Sequence, residues 1–339
     1  MIWLTWRQHR KQLLFTLLTL AALAAVMVPT GLSMHHEFVK SGLSACLGKA
    51  GTAQLVAGNA VNCSELSSQF SHQYSSLTFI AVLFVILPVF VGIFYGAPLV
   101  AHEIEQGTHR FVWTQGVGRM RWALAKFGLI GLVTLVIALV YAIGVTWWFS
   151  PLIASGNNGR MNYVSFDVQG VVPIAYTLFA VALGVFLGVY SRKVLPAMGI
   201  TLAGFIAVRV VIEWVARKNY LSPVSLKLPI TSTQQYNMYA GDWIYSNSVV
   251  GAQGKTLLAD AQLQCLGGNV VSMSTSAGSG ALQANANPCA DAAYQGAYNL
   301  QSYQPGERFW DFQWIESGVF LALAALLIWF ALMRLRRIG

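Results

Sequence analysis

The stretch "HEIEQGTH", His102 to His109, gathers two histidines and two glutamates within eight residues. These residue types bind zinc, with a glutamate as general base, when a helix presents two histidines at i and i+4. Here the histidines are seven residues apart, which is about 10.5 Å along a helix axis. Gly107 also interrupts any helix between them. The spacing rules out convergence on one ion. A second stretch, "GAQGKT" at Gly251 to Thr256, matches a phosphate-cradling loop only in part. Such a loop needs glycine five positions before its Gly-Lys pair, and Val249 stands there. No serine–histidine–aspartate arrangement stands out. The expectation is a chain with no catalytic residue, no metal ligand set and no cofactor of its own.

The glutamates must therefore be read against the elements that carry them. The chain has 339 residues, of which 56% are hydrophobic and 10% charged, against roughly a quarter charged in soluble domains. Charge-free stretches run from Gln12 to Met34, Gln73 to Ala101, Phe127 to Gly159, Val168 to Ser191 and Ser317 to Met333. Each can cross a hydrocarbon core of about 30 Å at about 1.5 Å per residue. A sixth run, Val194 to Ala216, carries Arg209 and Glu213 toward one end. The expected fold is an all-α polytopic membrane protein with six transmembrane helices, about 13–34, 77–101, 123–149, 170–191, 194–216 and 314–334. The first run follows a basic "RQHRK" but is longer than the roughly 7–15 residues of a signal segment, so it reads as an uncleaved anchor. Residues 1–12, with Ile2, Trp3, Leu4 and Trp6 beside those bases, suit an amphipathic interfacial helix.

Six spans put both termini on one side. That side carries Arg7, Arg10, Lys11, Arg110, Arg119, Arg121, Lys126, Arg192, Lys193, Arg334, Arg336 and Arg337, which is twelve of the 21 basic residues. The bias places the termini in the cytoplasm. The net charge of +9 thus reports membrane orientation and gives no argument for nucleic acid. All four cysteines fall on the opposite side: Cys46 and Cys63 between spans one and two, Cys265 and Cys289 between spans five and six. An oxidising exterior allows disulfides. Local pairing, Cys46–Cys63 and Cys265–Cys289, is expected because each pair shares a loop. Each could stabilise its region by about 3 kcal/mol.

The outer loop 35–76 is rich in Gly, Ser and Ala. "SRKVLP" makes a tight hairpin of spans four and five, and "GVFLG" sets Gly184 and Gly188 at close-packing spacing. Residues 217–313 are too long for a connection and read as a small disulfide-pinned extracellular domain. Phe309, Trp310, Phe312 and Trp314 lead into the last span (314–334, with a basic tail to 339), as an interfacial aromatic belt or as core. Arg209 and Glu213 are four apart on one helix face and form a candidate intramembrane ion pair.

The loop after span two, 102–122, is the most polar connection on the inner side. Glu103 and Glu105 lie where span two leaves the membrane. Gly107 can end that helix, and Thr108 can cap the next. "HRFVWTQ" then carries Phe111, Val112 and Trp113, and Gly116 and Gly118 break it again. A short amphipathic helix across the inner mouth is expected, docking lipid or a soluble partner.

At this point the sequence resembles a family. Glu103-x-Glu105-x-Gly107-Thr108, then Thr114, Arg119 and Lys126, look like the inner loop of ABC type-2 permeases, the membrane subunits of type V ABC exporters. "WLTWRQHR", "APLVAHEIEQGTHRFVWTQ" and "RFWDFQWIE" look closest to an actinobacterial-type branch. The resemblance reaches both ends of the chain and covers none of the extracellular segments. It implies a permease subunit in the bacterial plasma membrane, a second permease subunit (homo- or heterodimer), and two cytosolic ATPase subunits that hold ATP and Mg. It makes the loop a coupling helix, with Glu103, Glu105, Gln106, Gly107, Thr108 and Arg110 at the ATPase and Phe111 and Trp113 packing there. It also implies a substrate path beside spans two and five, where Phe84, Phe90, Phe94 and Phe205 are candidate lining residues. The complex would export a hydrophobic or amphipathic substrate. The competing class is a membrane sensor or assembly protein with a ligand-binding extracellular domain.

Overall fold

The computed structural model describes residues 2–48, 63–107, 118–155, 159–231, 242–275, 288–291 and 294–337. Its chain divides into two compact units: residues 1–158, 163–220 and 310–339 form one, and residues 159–162 and 221–309 form the other.

In the first unit apolar composition dictates the helices. Among the described residues six helical runs are long and apolar enough to cross a membrane. They are Leu18–Lys40, Ser75–Glu105, Met120–Ala154, Val172–Ser191, Val194–Asn219 and Gly306–Arg337, here spans 1 to 6. Span 1 belongs to one unbroken helix, Ile2–Lys40. Residues 2–12 lead into it without a helix break, and no glycine or proline occurs before Pro29. Successive crossings place Glu105 at one end of the bundle and Glu316 at the other.

Two prolines inside spans show how the bundle satisfies its backbone. Proline has no N–H, so the carbonyl four residues earlier loses its helical partner. Pro88 in span 2 frees the Phe84 carbonyl, and the Tyr141 hydroxyl of span 3 donates to it at 2.8 Å. Pro151 in span 3 frees the Trp147 carbonyl. There Ser150 Oγ donates at 2.8 Å and His35 Nε2 of span 1 stands at 3.1 Å. Span 2 also contains a π-helical turn, Gly92–Gly96. Spans 2 and 4 meet there almost backbone to backbone: a Cβ at Gly184 would stand 2.6 Å from the Gly92 carbonyl oxygen. The close-packing spacing of Gly184 and Gly188 thus serves contact between helices of one chain.

The second unit corrects the all-α expectation. Six strands are described: β1 Val224–Pro229, β2 Trp243–Val250, β3 Thr256–Ala259, β4 Ala261–Leu266, β5 Asn269–Thr275 and β6 Tyr298–Gln304. An antiparallel sheet has the order β1-β6-β2-β3, and β4 and β5 form a separate hairpin. That hairpin has a local cause. Gly267 and Gly268, at φ 58° and 81°, supply the two left-handed residues that a tight hairpin turn demands. Alternation in "AQLQCL" turns Ala261, Leu263 and Cys265 inward. Asn299 of β6 joins the two sheets: its side chain accepts from the Leu263 N–H at 3.0 Å and donates to the Leu263 carbonyl at 2.8 Å. Burial raises the Asp242 carboxyl above the ordinary carboxylate range, opposed by the Gly306 N–H that donates to it at 2.8 Å and reinforced by Glu307.

Cys265 and Cys289 form a disulfide, with Cα atoms 5.6 Å apart, in the core of Ile230, Val249, Leu263 and Ala297. The side chains of Cys46 and Cys63 lie outside the described ones. Cys265→Ser with Cys289→Ser should lower the stability of the sheet unit by about 3 kcal/mol. Limited proteolysis of the purified protein, with and without reductant, should show the cuts gathering in residues 221–309. An unchanged digestion pattern would remove the disulfide as a stabilising element.

Candidate functional site

The helical part of the polar stretch ends as its residues require. Residues Ala97–Glu105 are helical, Gln106 N–H donates to the His102 carbonyl at 3.1 Å, and Gly107 N–H to the Ile104 carbonyl at 3.2 Å. Gly107 takes φ 72°, the left-handed conformation in which glycine ends helices. Thr108, Arg110, Phe111 and Trp113 lie outside the described residues, so the site begins with Glu103, Glu105, Gln106 and Gly107.

Glu103 faces into the bundle. Its Oε1 lies 2.5 Å from Lys126 Nζ of span 3, with the side chains 13% and 4% exposed. The Lys126 ammonium also stands 5.2 Å from the centre of the Trp122 ring. Glu105 goes elsewhere. Its Oε2 accepts the N–H of Val194, the first residue of the span 5 helix, at 3.0 Å. Gln106 and Gly107 are exposed. The Glu103–Lys126 contact is invisible in sequence because 23 residues separate its partners, although both lie at span ends of a single loop.

A second polar constellation lies toward the other end of the bundle. The short helix Tyr163–Val168 brings in Asp167, span 4 Tyr176, span 5 Arg209 and Arg217, and span 6 Glu316. All five are buried. Arg217 is bidentate on Glu316, at 2.9 Å from Nε to Oε2 and 2.7 Å from Nη2 to Oε1, and its Nη2 also donates to Asp167 at 2.8 Å. Arg209 pairs with Asp167. The Tyr176 hydroxyl reaches both carboxylates and accepts from Arg217 Nη2 at 3.1 Å. The guanidinium carbons stack on rings: Arg209 lies 4.2 Å from the Tyr176 centroid and Arg217 4.4 Å from that of Phe166. Two arginines thus balance two carboxylates.

The carboxylate in direct contact with Arg209 is Asp167, while Glu213, its expected partner one turn on, is half-buried on the same helix. A π-helical turn, Ile212–Ala216, separates the two arginines. In a plain α-helix residues eight apart differ by about 80° around the axis. The wider turn reduces that offset and lets both arginines address one cluster. Gln313 closes the same region. Its Oε1 accepts from the N–H groups of Val171 and Val172 at 3.0 Å each, and its Nε2 donates to the Phe166 carbonyl at 2.9 Å. Gly170, at φ 69°, leaves the room: a Cβ there would stand 2.7 Å from Gln313 Oε1.

The four phenylalanines divide. Phe84 is buried against Tyr141 and Trp148, and Phe205 against Phe179, so both pack inside the chain's own helices. Phe90 and Phe94 are 51% and 54% exposed and stacked, with centroids 6.2 Å apart. The aromatic residues in the first turns of span 6 divide likewise, Phe309 and Phe312 buried, Trp310 and Trp314 exposed.

The family model described as "ABC-2 membrane transporter related" matches residues 17–217, more than half of the 339 residues. That segment contains spans 1 to 4, span 5 as far as Arg217, and all of the Glu103–Glu105 region. No curated protein and no solved structure matches the chain.

Proposed function

The chain belongs to the ABC-2 membrane transporter related family, and from that premise we propose that it is the permease subunit of an ATP-driven exporter in a bacterial plasma membrane. A separate pair of cytosolic ATPase subunits binds ATP and Mg, and the loop after span 2 receives them. The substrate is hydrophobic or amphipathic and passes beside spans 2 and 5 at the contact with a second permease subunit, where the stacked and exposed Phe90 and Phe94 offer an apolar lining.

The observation that carries this reading is the end of span 2. Glu103 and Glu105 tie that end to spans 3 and 5, so force applied to the adjoining loop reaches three spans directly. Gly107 then releases the chain from the helix. The actinobacterial-type motif around it supplies the partner side: Gln106, Thr108, Arg110, Phe111 and Trp113 meet the ATPase. The positive-inside bias supports cytoplasmic termini, and the Cys265–Cys289 disulfide supports an oxidising location for the sheet unit.

Co-expression with a neighbouring ATPase gene, followed by affinity capture on the permease, tests this. Arg110→Ala with Trp113→Ala should lower ATPase capture about tenfold, the loss of roughly 1.4 kcal/mol. A fluorescent protein fused after Gly339 should fluoresce, while alkaline phosphatase at that site should stay inactive. Capture that ignores the double variant would count against the docking role.

One observation favours the competing sensor or assembly class. The sheet unit has an open surface groove of about 450 Å³ lined by Lys227, Pro229, Ile230, Thr231, Gly296, Ala297 and Tyr298. A regulator gene beside this one, with no ATPase gene, would move the balance to that reading.

A further inference from the structure

We propose that the two carboxylates of the Glu103-x-Glu105 stretch are positioning residues inside the subunit, which divide any displacement of the span 2 end between span 3 and span 5. This rests on the coupling role proposed above for residues 102–122, and it reassigns both glutamates within that role. They hold the permease's own helices, and contact with the ATPase falls to their neighbours.

The spacing itself argues for it. Residues two apart on a helix point about 200° apart around the axis. A Glu-x-Glu pair at a helix end therefore addresses two neighbours on nearly opposite sides. The structure fills both positions. On one side Glu103 reaches Lys126, whose side chain is 4% exposed. A buried ammonium needs a carboxylate partner. On the other side Glu105 meets the start of a long helix whose own cap position is Lys193. Lysine has no acceptor for the free N–H groups of a first turn, where serine, threonine or aspartate would serve. Glu105 supplies the acceptor from another span, and its charge suits the positive end of that helix. A third face of the same segment is fixed through glycine: a Cβ at Gly188 of span 4 would stand 2.5 Å from the Ala97 carbonyl oxygen.

Span 5 thereby becomes a strut held at both ends. Its first N–H sits on Glu105, and its far turns place Arg209 and Arg217 among Asp167, Tyr176 and Glu316. A shift of the span 2 end that moves Val194 pulls on an element anchored to span 6.

The test uses the full chain in lipid nanodiscs, with genetically encoded spin labels at the exposed positions Gln106, Arg121 and Lys193. Pulsed electron–electron distances are measured for 106–121 and 106–193. Glu103→Gln should broaden the 106–121 distribution and leave 106–193 narrow. Lys126→Gln, the reciprocal change, should do the same. Glu105→Gln should broaden 106–193 and leave 106–121 narrow. A purely structural role would loosen both distances together. Variants that broaden both alike, or neither, overturn the proposal. In a second arm the same glutamine variants should capture the ATPase as well as the wild type does. Loss of capture with both distances unchanged would place the carboxylates at the ATPase and also overturn it. Failure of the wild type to capture any ATPase sinks the coupling reading instead, and the distances still decide the joint.

Discussion

Arg217→Ala should destabilise the helical unit by about 3–5 kcal/mol, the range for breaking a buried ion pair from one side. Arg217 is 2% exposed and satisfies Glu316 through two hydrogen bonds and Asp167 through a third. Alanine leaves Glu316, which is 1% exposed, without its bidentate cation and dependent on hydroxyl donors such as Tyr176. Lysine should rescue little, because an ammonium cannot reproduce the planar fork that meets both Glu316 oxygens. Arg217→Met with Glu316→Met should be milder than the single alanine change, since it removes charge and counter-charge together. Thermal unfolding of the purified protein in detergent reads all three variants, with the exposed neighbour Lys218→Ala as control. A melting temperature for Arg217→Ala equal to that of the control would mean that water already satisfies the cluster.

The cluster also shows where sequence reasoning stops. The spans are legible because a run of some twenty apolar residues has one physical outlet. Gly107 is legible because a helix end needs a left-handed residue and glycine adopts it freely. Gly184 and Gly188 are legible by spacing, though not by partner. Asp167 is not, because it stands in what reads as a short outer loop and becomes internal only when Tyr163–Val168 folds as a helix beside span 4. Arg217 and Glu316 look like boundary residues for the same reason: composition locates the hydrocarbon core but not the depth at which helices still pack.

The strands escape sequence reading for a different reason. They are polar enough that no apolar run announces them. One signal is nonetheless present. Ala261, Leu263 and Cys265 alternate with polar residues up to Gly267-Gly268, which is a hairpin signature in its own right. The Glu103-x-Glu105 spacing likewise carries more than two charges facing one partner. Helical geometry sends the two carboxylates to opposite neighbours.

Gly188→Leu should separate spans 2 and 4 and do more harm than ordinary overpacking of a core, which costs roughly 1–3 kcal/mol. Flexible side chains can give way to a new methyl group, but backbone cannot. At Gly188 the new Cβ would stand 2.5 Å from the Ala97 carbonyl oxygen, and one turn away a Cβ at Gly184 would stand 2.7 Å from the Ala97 N. Any larger residue forces the helices apart over the segment that leads to Glu103 and Glu105. The contacts of both glutamates should fail with it, so the 106–121 and 106–193 distances should broaden together. Gly128→Leu and Gly131→Leu in span 3 are the matched controls, because a Cβ at either position meets nothing within 4 Å. They should express and melt like the wild type, while Gly188→Leu yields little monodisperse protein in gel filtration. Equal damage from all three would show that leucine harms these helices for reasons unrelated to close approach. Damage confined to Gly188 would make the glycine seam the surface on which the end of span 2 is seated.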